Sequence, residues 1–303
     1  MSDLKDLRSA KRLQPAFSIV LLACAGTLPG VALAFNISFD YRFDSNNFFD
    51  AARKSILDSA AAFFESRITD TLDAIEPGPS GFGFDNTFTA KITNPGTGLA
   101  QDVVDLTVPA DTLIVFVGGR SLGGSTLGQG GPGAYSASGT QTFIDTVSTR
   151  GEPGVDPNGI TDTDFAPWGG AITFDNDAST NWYFDNDTTT DEAFTGADFY
   201  SVALHEIGHV LGIGTADSWD NKIVNGQFTG AASVAANGGN TIATTADGGH
   251  WAANTQSVIA GTNTAQEAAM DPTITLGTRK RFTELDVAGL QDIGWEIQAD
   301  SAQ

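Results

Sequence analysis

Residues 205–209 read His205-Glu206-Ile207-Gly208-His209. The stretch around them runs from Asp198, which suits an N-cap, through Val202 and Leu204 to Gly212, and its apolar spacing predicts a helix. Residues four apart on a helix lie about 40° apart around its axis, so both imidazoles project from one face and can share a metal ion. Glu206 follows His205 directly and faces sideways, toward a water beside the metal. A helical H-E-x-x-H of this kind supplies two zinc ligands and a general base for attack on a carbonyl.

Zinc needs a third protein ligand. The chain has three histidines, and the remaining one is His250. A neutral imidazole is a usual third nitrogen donor, and Gly248-Gly249 would let the backbone turn that ring inward. The competing reading is an exposed loop histidine, or one hydrogen-bonded to an acid such as Asp247.

The segment from His205 to Gly212 resembles the H-E-x-x-H-x-x-G of the metzincin metalloproteases. Most of that clan places a histidine three residues after the glycine, where this chain has Thr215. Leishmanolysin-like members insert a long segment there and supply the third histidine in a His-Trp pair, followed by a Met-turn. His250-Trp251 and Met270, within Glu267-Ala268-Ala269-Met270-Asp271-Pro272, match that order. Asp217 is a rival third ligand, because some relatives use an aspartate just after the glycine. Glu267 is another, by analogy with thermolysin-type sites.

Residues 169–177, Gly-Gly-Ala-Ile-Thr-Phe-Asp-Asn-Asp, are similar to a matrixin strand whose acidic groups bind structural calcium. Phe-Asp-Asn-Asp recurs at 184–187, so Asp175, Asp177, Asp185 and Asp187 are calcium candidates, set against a solvated acidic turn. Residues 282–287 resemble the matrixin C-terminal helix. The resemblance implies an α+β catalytic domain of metzincin type, with a twisted mixed sheet over a zinc-binding helix and a loop-rich C-terminal subdomain. It implies a secreted bacterial zinc endopeptidase with zinc, and calcium besides, as cofactors and polypeptides as substrates. No tyrosine follows Met270, so the residue that some clan members swing onto the oxyanion is missing.

Lys5, Arg8, Lys11 and Arg12 precede an apolar run at 17–28, and Ala32-Leu33-Ala34 has the form of a cleavage site. Residues 1–34 therefore read as a signal peptide, and the chain as secreted. A lipobox ending at Cys24 is the weaker alternative, because the sequence stays apolar after that cysteine. From residue 35 on there are 11 basic and 35 acidic residues, a net charge of −24, and no cysteine. That balance argues against nucleic acid and anionic membrane surfaces as partners. It also excludes disulfides and a cysteine-switch latency device. A monomer is expected.

Two subdomains are expected, 35–212 ending with the zinc helix and 213–303 carrying the third ligand, the Met-turn and a final helix. Alternation predicts a strand over 36–43, and apolar spacing a helix over 47–75 ended by Pro77-Gly78-Pro79. Strands are expected at 86–93 and 112–117, with an irregular glycine-rich edge over 118–139. Residues 145–192 carry eleven acids and one base, and read as a hairpin of 171–174 with 182–184. Residues 213–249 read as a long loop with one short helix near 229–236. Thr283 caps the last helix, with Val287, Leu290 and Ile293 as its buried face. Two other functions compete: a calcium-loaded surface protein on a decayed protease fold, and a zinc hydrolase of non-peptide esters or amides. The intact Glu206 argues against the first.

Overall fold

The computed structural model describes residues 34–156 and 159–298. The basic and apolar segment read as a signal peptide, with Cys24, lies outside the described residues. All described residues fall in one compact unit, and none of their helices is long and apolar enough to cross a membrane.

Strand β1 (Asn36–Asp40) buries Ile37 between exposed neighbours, as alternation requires. Helix α1 (Ala51–Glu65) is shorter at both ends than its apolar spacing predicts. At the start, the Asp44 carboxylate accepts the amides of Phe48 and Phe49, and Asp50 caps the helix through Arg53 N. At the end, Thr69 N bonds Glu296 O and Ile68 bridges Ile297, so pairing with the C-terminal segment replaces the last predicted turns.

Strands β2 (Gly78–Pro79), β3 (Asp85–Thr93) and β4 (Ala100–Val104) form an antiparallel group around β3. Strand β5 (Thr112–Arg120) returns parallel to β1, with Leu113 opposite Ile37. The stretch expected to be an irregular edge is ordered instead. It contains β6 (Gly128–Pro132) and β7 (Ala134–Ser138), which belong to different sheets. Strand β7 pairs with β3, whereas β6 runs antiparallel to β8 (Gly169–Asp175) with Gly130 opposite Ile172. The main sheet has the order β1-β5-β8-β6, so β6 is its edge.

Strand β5 is buried on both faces. Val115 and Val117 join Ile172, Phe174, the α1 residues Ile56, Leu57 and Phe64, and Leu204 and Ile207 of the motif helix in the larger core. Phe116, on the other face, joins Phe88, Ile92, Trp168 and the residues Phe143 and Val147 of α2 (Gln141–Thr149). Each such side chain contributes about 1.5–3 kcal/mol on leaving water. Thr140 caps α2, which ends at Arg150 in the left-handed region at φ 49°.

The expected acidic hairpin does not form. Strand β9 (Trp182–Tyr183) pairs in parallel with β10 (Ala197–Asp198), not with β8. Asp175 accepts Leu122 N and the Thr180 hydroxyl, which turns the chain out of the sheet after β8. Helix α3 (Phe199–Val210) follows with Asp198 as its cap.

The stretch expected as a long loop holds more structure than its composition suggests. It contains α4 (Asp217–Asp220), α5 (Ala231–Ala236) and an antiparallel trio, β11 (Ile223–Val224), β12 (Gln227–Phe228) and β13 (Ile242–Ala243). These close over Trp219, Phe228 and Trp251, whose ring centroids lie 4.2–5.2 Å apart. Strands β14 (Gln256–Val258) and β15 (Ala265–Glu267) pair antiparallel before α6 (Glu284–Asp292). Helix α6 buries Leu285 and Leu290, and Ile293 just beyond it is also buried, whereas Val287 is half-buried.

Candidate active site

Helix α3 is buried along almost its whole length, which sets its two histidines rigidly. Its cap, Asp198, accepts Ser201 N and the Ser201 hydroxyl, and is held by Arg279 through two nitrogens at 3.0 Å each. Gly208 in its middle is required by a close approach. A Cβ there would lie 2.5 Å from Sδ of Met270, which is fully buried beneath the helix.

His205 and His209 each contact a backbone carbonyl through Nδ1, that of Ala269 at 2.7 Å and that of Ile213 at 2.8 Å. A carbonyl accepts only from an N–H, so each ring carries its proton on Nδ1 and turns the lone pair of Nε2 outward. The two Nε2 atoms are 3.0 Å apart, and Nε2 of His250 lies 3.1 Å from that of His209. Among the described residues these three histidines are the group that could hold a metal, with donor atoms all within 4.8 Å of one another. Burial drives the pKa of His205 down to about 4 and lowers those of His209 and His250, so the rings are neutral donors near pH 7.

His250 reaches this point from a turn in which its amide bonds the Thr245 hydroxyl and Gly248 sits at φ 76°. Trp251 anchors the next position: its amide bonds Met270 O, and its indole donates to Asp286. Asp286 is wholly buried and also accepts the amides of Ala269, Met270 and Thr283 and the Thr283 hydroxyl. One carboxylate thus joins the segment after His250, the turn at Met270 and the start of α6.

Glu206 faces the cleft beside the histidines and is 5% exposed. Burial raises its pKa to about 8, opposed by the nearby Gly130 backbone. The cleft, about 890 Å³, is lined by Gly128–Gly130 of β6 and by residues between Ala269 and Leu276.

The structure does not bring Asp217 or Glu267 into the histidine group. Asp217 lies against Gly159, where it would meet any Cβ, and Glu267 pairs with Lys280 at 2.7 Å. Nor does it gather the four calcium candidates, since no three of them present carboxylates to one another within that reach. Asp175 is spent on Leu122 and Thr180, Asp185 on Arg279, and Asp187 on Thr189. Arg279, Lys280 and Arg281 are all paired with acids, the last two with Asp271 and Asp191. Sequence reasoning missed Asp286 and these basic residues as supports of the site. Asp286 was legible only as a position in the Thr283 cap, because its other partners come from loops far away in the chain.

Residues 141–224 match the family model described as Matrixin. The match covers His205, Glu206 and His209 and ends before His250 and Met270. No curated protein and no solved structure matches the chain. The matched segment carries the helical histidine pair inside a mixed α+β fold, which supports a metallopeptidase of the metzincin clan.

Proposed function

We propose that this chain is a secreted zinc endopeptidase, with His205, His209 and His250 as metal ligands and Glu206 as general base. The observation that carries the reading is the convergence of three Nε2 atoms in a cleft that one buried carboxylate also lines. The donor set fits zinc: three neutral imidazoles, two of them oriented by carbonyls, line the cleft together. Zinc bound there would supply Lewis acidity, making a water acidic near neutral pH and drawing charge from a carbonyl oxygen.

The rest of the work falls to the chain itself. Glu206 takes the proton from the attacking water and hands it to the leaving amine. The free edge of β6 along Gly128–Gly130 receives the substrate backbone as an added strand, while side chains of the substrate enter the cleft. Met270, packed under Gly208, floors the site as a Met-turn. The basic and apolar N-terminal segment supports export, and the lack of cysteine after it leaves burial and bound metal to stabilise the exported chain.

Metal analysis and casein cleavage test the reading together. Wild type and Glu206→Ala should each bind one zinc per chain, with proteolysis confined to wild type and abolished by a chelator. Full activity in Glu206→Ala would refute the mechanism.

A further inference from the structure

We propose that Gly128 and Gly130 are positioning residues for Glu206: the edge strand forms a slot, closed to any side chain, that fixes its carboxylate. The inference rests on the role proposed for Glu206 and deepens it. Positions two apart on a strand face the same side, and here that side is α3. A Cβ on Gly128 would stand 2.7 Å from both Cδ and Cγ of Glu206, with Oε1 closer still. A Cβ on Gly130 would stand 2.6 Å from the Glu206 carbonyl oxygen and 3.0 Å from Oε2. Real Cβ atoms essentially never come so near. Gly131 points the other way, and a Cβ there would meet nothing within 4 Å.

Backbone conformation does not explain these glycines. None of the three has positive φ, so alanine could adopt the same extended backbone at each. At both 128 and 130 the three atoms nearest to a Cβ all belong to Glu206. The two contacts differ in kind: Gly128 is pressed by the side chain of Glu206, Gly130 also by its backbone. The Gly130 backbone also acts on the carboxylate to lower its pKa, so one strand supplies the walls of the slot and a polar group beside it. A glutamate free to swing would have several rotamers to choose from, and one wall removes most of them. Misplacement of a reacting group by about 1 Å can cost on the order of 100-fold in rate.

The test uses Gly128→Ala, Gly130→Ala and Gly131→Ala, each alone and combined with Glu206→Ala. Readouts are kcat, KM, zinc content and melting temperature. Gly128→Ala should lower kcat on the order of 100-fold, with zinc stoichiometry unchanged and KM little altered. Gly131, which does not line the cleft, should tolerate alanine with kcat unchanged. The fall in melting temperature caused by Gly128→Ala should vanish when Glu206 is already alanine, whereas part of the Gly130→Ala penalty should persist. A wild-type kcat in Gly128→Ala, or an equal thermal penalty in both backgrounds, would overturn the proposal. If wild type itself shows no metal-dependent proteolysis, the functional reading fails, and the melting cycle still decides whether the glycines hold Glu206.

Discussion

The indole nitrogen of Trp251 donates to Oδ1 of Asp286 at 2.9 Å, in a wholly buried contact between residues 35 apart in the chain. Since His250 precedes Trp251 and the Ala269 carbonyl orients His205, Asp286 bears on two histidines at once. Replacing Asp286 by alanine leaves its donors unpaired in the interior, at about 1–3 kcal/mol for each one left unsatisfied. We expect a loss of at least about 3 kcal/mol in chemical denaturation and weaker zinc retention against a chelator. Retention equal to wild type in a folded Asp286→Ala protein would count against the linkage.

Metal removal should destabilise the chain. An ion that binds only the folded state adds stability of about 4 kcal/mol when present at a thousand times its dissociation constant. Chelation should therefore lower the melting temperature, and added zinc should restore it. His250→Ala should lose most of that response, whereas Asp217→Ala should keep it.

Asp70 gives the fold a dependence on pH. Its carboxylate is 3% exposed and accepts Glu296 N, but Oδ1 has no partner, and burial raises its pKa to about 7. Between the unfolded value near 4 and about 7, the folded chain holds a proton that the unfolded chain has released. Stability from this group therefore falls as pH rises through that window, by at most about 1.4 kcal/mol per pH unit, and levels off above it. Asp70→Asn should flatten the slope in denaturation curves taken from pH 5 to 7; an unchanged slope would assign it to other groups.

Arg150 is fully buried and donates to the carbonyls of Asp73, Thr112, Pro167 and Pro109. Burial lowers its pKa to about 10, so it stays charged near neutrality. Arg150→Met should cost about 3 kcal/mol or more, seen as a lower urea midpoint, because several carbonyls lose their donors in a dry interior. Lysine should rescue little, having one nitrogen where the guanidinium spreads three.

The helix from Asp198, the strand at 112–117 and the Thr283 cap were legible because each depends on local spacing and capping. The histidine pair was legible for the same reason. Helix α1 was overextended, since nothing near residue 66 announces that Ile68 and Thr69 will pair with the far C-terminus. The glycine-rich stretch hid β6 and β7, because strand patterns rest on side chains and these residues have few. The absence of side chains at Gly128 and Gly130 is accounted for by Glu206, 78 and 76 positions later in the chain. The repeated Phe-Asp-Asn-Asp suggested one shared site, yet its copies are spent on different partners, a hydroxyl and amide for Asp175 and a guanidinium for Asp185.

Arg279 and Lys280 are consumed internally by Asp185, Asp198, Glu267 and Asp271. Part of the cationic charge of the folded chain is thereby turned inward, and the exterior presents a large excess of carboxylates that repel one another. Dissolved salt weakens that repulsion while reaching the sheltered pairs poorly. Brine should therefore make this molecule sturdier, where it would loosen one braced by ion pairs on its outside.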